Sequence, residues 1–183
     1  MTAIPLHAHP ATPDPAVTSF TVAVTRTAEL RLVYELRADL ARIALPPLAM
    51  PGVADELWRH TCFEAFVGRE GNPAYFEYNF SPSGRWAVYA FADTRQRVDR
   101  DPAALAPTME WRHAGERLTL DATIPLARMP GVADAVLLVG ASAVIERRDG
   151  AQSFWALRHP GDRPDFHRPE SRTLRLEPPR PEC

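Results

Sequence analysis

Two glutamates lie in a stretch that otherwise reads as β-strand, and they are the residues of this chain best placed to do chemistry. Residues 58–91 run WRHTCFEAFVGREGNPAYFEYNFSPSGRWAVYAF. Bulky apolar residues alternate there with polar ones, and Gly, Pro, Asn and Ser gather at the two points where the chain must reverse. In CFEAFVG, period-two alternation puts Cys62, Glu64 and Phe66 on one face and Phe63, Ala65 and Val67 on the other. In AYFEYNF, Tyr75, Glu77 and Asn79 share a face, and Phe76, Tyr78 and Phe80 share the opposite one. Antiparallel pairing of the two strands turns Glu64 and Glu77 to the same side, a polar face rimmed by aromatics. Carboxyl groups on adjacent strands can meet the spacing of roughly 5–10 Å that glycoside hydrolysis asks of its acid and base. The same groups also make a plain binding cleft. No hydrolase motif accompanies them, so the expectation is binding without catalysis.

Trp58 adds a flat aromatic face at the loop–strand junction before the first strand. A pyranose shows C–H patches on its faces, which suit an indole, and hydroxyls around its rim, which suit carboxylates as acceptors. Trp86 and Trp111 sit inside alternating segments and are expected in the core. Cys62 is expected as a small buried hydrophobe, and Cys183 ends the chain, so the two make no disulfide framework.

Those residues need strands to hold them. At 183 residues, 45% hydrophobic and 24% charged, the chain suits one globular domain with a substantial core. A net charge of -2 gives no general attraction for nucleic acid or an anionic membrane. No apolar run nears the roughly 20 residues of a bilayer span, and residues 1–17 lack the cationic and apolar regions of a secretion signal. A cytoplasmic protein is expected. Residues 1–16 show no periodicity and are expected as a flexible lead-in, whose His7 and His9 carry no metal. Residues 18–37 read as a hairpin, 38–45 as a short helical turn stopped by prolines, and 46–57 as a long loop. Residues 109–124 read as a second hairpin across Gly115. The apolar run 135–146 suits a buried central strand, 152–157 another strand, and 173–177 the last one. Residues 158–170, RHPGDRPDFHRPE, form a Pro/Asp/His loop, expected as a rigid rim before a metal site. MPGVAD occurs at both 50–55 and 129–134 and is expected as two similar turns. About ten short strands and no long helix predict an all-β antiparallel β-sandwich, jelly-roll or immunoglobulin-like, over residues 17–177, with 178–183 as a tail.

WRHTCFEAFVG, then YFEYNFSPSGRWAVYAF, then FWALRHPGDRPDFHRP together resemble the bacterial DOMON-like domain proteins, which are similar to family 9 carbohydrate-binding modules. The resemblance spans residues 18–176, and its sharpest part is Trp58-x5-Glu64-x-Phe66. It implies a β-sandwich holding a small saccharide, or a similar polyhydroxylated ligand, between two tryptophans. Carried over by position, Trp58 is one wall and Trp155 the opposite wall. Glu64 accepts from hydroxyls, Gln152 stands where the modules place an amide, and Glu146 falls near a further polar position. One departure matters: Glu77 stands where sugar-binding members carry an arginine, so the family's sugar does not transfer to this chain. Some DOMON-type domains bind haem through Met and His, but no spacing among His60, His113, His159, His167, Met50, Met109 and Met129 singles out a pair. No cofactor is expected. The alternative to sugar binding is an interaction or scaffold domain that keeps the fold without the ligand.

Overall fold

The computed structural model describes residues 2–132 and 134–179. Within them the alternating segments form strands: β1 (Ile4–Pro5), β2 (His7–Ala8), β3 (Val17–Arg26), β4 (Leu30–Ala38), β5 (Gly52–Val53), β6 (Cys62–Arg69) and β7 (Tyr75–Phe80). The second half adds β8 (Arg85–Asp93), β9 (Gln96–Val98), β10 (Thr108–Ala114), β11 (Arg117–Ile124), β12 (Leu137–Glu146), β13 (Gln152–Ala156) and β14 (Leu174–Leu176). Helix among the described residues is limited to 3-10 turns of three or four residues. One sheet runs β1-β3-β4-β11-β10 and the other β2-β13-β12-β6-β7-β8-β5, with β14 also on β12 and β9 on β8. The ladders are antiparallel apart from β5 against β8. The protein is an all-β sandwich.

Alternation builds the core between the sheets. Phe63, Ala65 and Val67 of β6 and Tyr78 and Phe80 of β7 meet Phe20, Leu32, Tyr34, Leu36 and Leu120 of the smaller sheet. Each Phe, Val or Leu among them contributes about 1.5–3 kcal/mol on leaving water. The buried Tyr34 hydroxyl donates to the Glu64 carbonyl at 2.6 Å, so its burial leaves no polar group unpaired. Trp86 lies in this core, and Trp111 packs against Phe63 with ring centroids 4.9 Å apart, both as expected.

β12 is apolar on both faces because it is central. It pairs with β6 on one side and with β13 and β14 on the other, and residues 171–172 cross its outer face. Gly140 permits that crossing, since a Cβ there would stand 3.0 Å from the Ser171 carbonyl oxygen.

Several sequence expectations change. Among the described residues fourteen strands replace about ten, because two- and three-residue strands are too short to show a period. Residues 4–16 are no loose lead-in: β1 and β2 pair with β3 and β13, and Leu6, His9, Asp14 and Ala16 are buried. Residues 40–42 make a single hydrogen-bonded turn, after which Ile43 bridges to Arg147; there is no helical turn. The MPGVAD copies differ, since Gly52–Val53 is β5 while Gly131 and Val132 lie in a turn. The tail expected at the C-terminus lies, over 180–183 and so including Cys183, outside the described residues.

Candidate functional site

Register places the two carboxylates as alternation predicts. Glu64 sits opposite Asn79, Phe66 opposite Glu77, Glu77 opposite Tyr89 and Tyr75 opposite Phe91. On the other side of β6, Ser142 lies opposite Glu64, and Val144 pairs in turn with Phe154. All these side chains therefore share the face of the larger sheet turned away from the core. Two covers lie over that face: the 3-10 turn Leu57–Arg59 and the loop 158–172. Between covers and sheet is a cavity of about 510 Å³. Trp58, Phe66, Tyr89, Phe91, Phe154 and Phe166 form its apolar walls, and Asp55, Glu64, Glu77, Arg95, Arg97 and His167 are among its polar lining.

The carboxylates are buried, with Glu64 2% and Glu77 5% exposed. Glu64 Oε2 accepts from the Ser142 hydroxyl at 3.2 Å, and Glu77 Oε1 from the Asn79 amide at 2.6 Å. Burial, then the charge of Glu77, pushes the Glu64 carboxyl well above the ordinary carboxylate range. Burial also raises Glu77, against the opposing pull of the Asn79 hydrogen bond and of Arg95 and Arg97. Next to them Cys62 is fully buried, and burial drives its thiol pKa well up, so it is the inert small side chain expected.

His167 caps the pair from the loop. Its Nε2 stands 3.6 Å from Glu77 Oε2, and its Nδ1 is 2.8 Å from the Tyr75 hydroxyl. The Arg95 N–H donates to that hydroxyl at 3.1 Å, which leaves the phenolic proton for Nδ1 and the imidazole proton on Nε2, facing Glu77. Burial, with Arg95 nearby, lowers the His167 pKa to about 4, so the ring is neutral near pH 7.

At the mouth the Tyr89 hydroxyl donates to Asp55, which holds that carboxylate below its usual range. The Arg97 guanidinium lies over the Tyr89 ring at 4.3 Å. Glu56 and Arg95 both take a left-handed backbone, with φ of 57°, a conformation costly for non-glycine residues. Both line the cavity, and both are held by bonds to cavity groups: the Glu56 N–H reaches Asp55 and the Tyr89 hydroxyl, and the Arg95 N–H reaches Tyr75.

Of the six expected ligand residues, the structure brings Trp58, Glu64 and Glu77 together. Trp58 is 44% exposed, with the Arg59 guanidinium 5.2 Å from its ring. Trp155 is not its partner wall. It is buried in the core, 6.0 Å from Phe20, and its indole N–H donates to Ser153 at 3.0 Å. Phe154 and Trp155 are adjacent, so only one can face outward; the register with β12 gives that face to Phe154. Gln152 and Glu146 stay out of the cavity lining and hold the Trp58 turn instead. The Gln152 amide donates to the Arg59 carbonyl at 2.7 Å, and Glu146 accepts from His60 Nδ1 at 2.8 Å.

Tyr89, Phe91, Asp55, Phe154, Phe166, Arg95, Arg97 and His167 were missed. Tyr89 and Phe91 had a signal, since the alternation that pairs Glu64 with Glu77 continues into β8. The loop residues had none. The loop does act as a rim: Asp165 accepts from Arg95 at 2.8 Å, the Arg172 guanidinium lies 4.6 Å from the Tyr75 ring, and the N-terminal segment ties it down. His9 Nε2–H donates to the Gly161 carbonyl at 3.1 Å and His159 Nε2–H to the His7 carbonyl at 2.8 Å. Among the described residues no group of three or more His, Cys, Asp or Glu is arranged to hold a metal. Met109 and Met129 belong to the sandwich core and Met50 is exposed, so none of the three lines the cavity with His167.

No protein-family model matches the chain, and no curated protein matches it. Solved structures do. A Bacteroides uniformis ATCC 8492 protein provisionally described as carbohydrate-binding superposes with a TM-score of 0.67 at 20% identity, over 94% of this chain and 84% of that one. A family 9 carbohydrate-binding module from Caldicellulosiruptor kristjanssonii, in complex with cellotriose, superposes with a TM-score of 0.62 at 9% identity, over 98% of this chain and 84% of that one. At these identities the likeness is one of fold, the same β-sandwich described above.

Proposed function

We propose that the cavity binds a small saccharide or a similar polyhydroxylated ligand, without catalysis. One observation carries the reading: an exposed Trp58 indole stands at the mouth of an aromatic-walled cavity whose floor is two buried carboxyl groups. Trp58 covers the C–H face of a sugar ring, Phe154 and Phe166 supply apolar contact in place of Trp155, and Glu64 and Glu77 grip hydroxyls. Gln152 and Glu146 serve the ligand indirectly by fixing the turn that presents Trp58. The shared fold with a module solved in complex with cellotriose supports the reading.

The second reading is a protein-interaction domain, favoured by Leu48 and Met50, which are 89% and 80% exposed in the loop before Trp58. Calorimetric titration with a panel of mono- and disaccharides separates the two. Trp58→Ala abolishes the heat of binding, and Gln152→Ala weakens it by about fivefold, the worth of one net hydrogen bond of ~1 kcal/mol. A chain silent to every sugar moves the assignment to the interaction domain.

A further inference from the structure

The carboxylates lining the cavity do not all stand alike. Asp165 accepts from Arg95 at 2.8 Å and Glu56 from Arg59 at 2.7 Å. Asp55 has the Tyr89 hydroxyl and lies in the field of Arg97. Glu64 and Glu77 have only neutral neighbours in contact: the Ser142 hydroxyl, the Asn79 amide and the uncharged His167 ring. Arg95 and Arg97 reach Glu77 only through their field, one being committed to Asp165 and the other to the face of Tyr89. Glu64 Oε1 therefore has no hydrogen-bond donor among the described residues, and Glu77 Oε2 faces only the His167 Nε2–H, at 3.6 Å and so beyond hydrogen-bond length. They belong to side chains only 2% and 5% exposed, and both line the open cavity.

Two buried carboxyl groups without a cation are an expensive floor for a ligand that brings only neutral hydroxyls. An ammonium group meets the floor better. It offers three N–H donors, two for the unpaired carboxylate oxygens, and its charge is attracted to the aromatic faces around it. We propose that the ligand carries a protonated primary amine seated between Glu64 and Glu77, so that the saccharide this cavity takes is an amino sugar in its cationic form. The inference rests on the saccharide reading above. It also accounts for the raised carboxyl pKa values: a proton held by the pair in the empty cavity is released when the amine arrives.

Titration calorimetry of the full chain near neutral pH, with D-glucosamine, D-glucose, N-acetyl-D-glucosamine and putrescine, tests it. Running each in two buffers of different ionisation heat counts the protons released. Glucosamine binds at least about tenfold more tightly than glucose or its N-acetyl derivative, the gain expected of one charge-assisted hydrogen bond, and its binding releases protons. Glu77→Gln removes that preference. The variant loses a buried charge rather than a packed group, so it folds, and its thermal midpoint confirms this. Equal affinity for glucosamine and glucose overturns the inference and leaves the saccharide reading standing. Putrescine binding with no hexose binding overturns the saccharide reading and keeps the amine seat. Silence from all four overturns the inference, and silence from the whole panel of mono- and disaccharides overturns the saccharide reading as well.

Discussion

The imidazole of His167 is wedged edge-on between Phe66, Tyr75 and Phe91, with ring centroids 5.3, 6.0 and 5.2 Å away. Burial, then the charge of Arg95, takes its pKa from 6.5 down to about 4, with Asp165 opposing and Arg172 adding to the fall. The unfolded chain takes up this proton between pH 6.5 and about 4 while the folded chain resists it. The stabilisation is thus complete above pH 6.5 and is lost as the pH falls toward 4. At about 1.4 kcal/mol per pH unit the whole gap is worth ~3 kcal/mol. The ring keeps 16% exposure, and solvent screening reduces the expected loss to about 2 kcal/mol. The perturbation is His167→Gln, which keeps a polar amide and does not titrate. Urea midpoints for both chains, from neutral pH down to about pH 4, give the difference directly. Glu64 and Glu77 run the other way, because a raised carboxyl pKa stabilises at low pH and ceases to do so as the pH rises through it. They are present in both chains, so their effect largely cancels. The native chain loses about 2 kcal/mol relative to the variant on acidification. Parallel curves, or a native chain that gains, would mean that Glu77 and Asp165 hold an imidazolium in the fold, and the reasoning would be wrong.

Two further outcomes follow from packing. Trp155→Ala leaves a void in the sandwich core and costs about 3–5 kcal/mol in denaturant unfolding, whereas Trp58→Ala, made at a 44% exposed side chain, leaves the midpoint nearly unchanged. Equal costs for the two would contradict their placement. Gly140→Ala sets a Cβ 3.0 Å from the Ser171 carbonyl oxygen, a backbone atom with little freedom to yield. It costs about 1–3 kcal/mol and lifts the loop 158–172 from the sheet, read as faster proteolytic cutting there; an unaltered midpoint and cutting rate would show that residues 171–172 do not rest on β12.

The central hairpin and its continuation were legible because side-chain direction in a strand has period two. That alone separated Phe63, Tyr78 and Phe80, which build the core, from Glu64 and Glu77, which face the cavity. It also turns Glu64, Phe66 and Glu77 toward the cavity, and with the turn signals and the absence of a long helix it predicts the sandwich. It did not distinguish Phe154 from Trp155, since neighbours on a strand always face opposite ways and only the pairing with β12 says which faces in. Nor did it separate gripping a ligand from gripping the turn that presents Trp58, which is what Gln152 and Glu146 do across 93 and 86 residues of chain. β1 and β2, of two residues each, are too short to carry a period, so the anchoring of the loop by His7 and His9 was hidden. Asp55, Arg95, Phe166 and His167 stand in turns and loops, where no repeat fixes direction, and long-range contacts bring them to the cavity. The alternating pattern thus determined the carboxylate face, since local backbone geometry is enough to set it. Tertiary structure decided what encloses that face and which charges are left unmatched, because both depend on segments that meet only when the chain is folded.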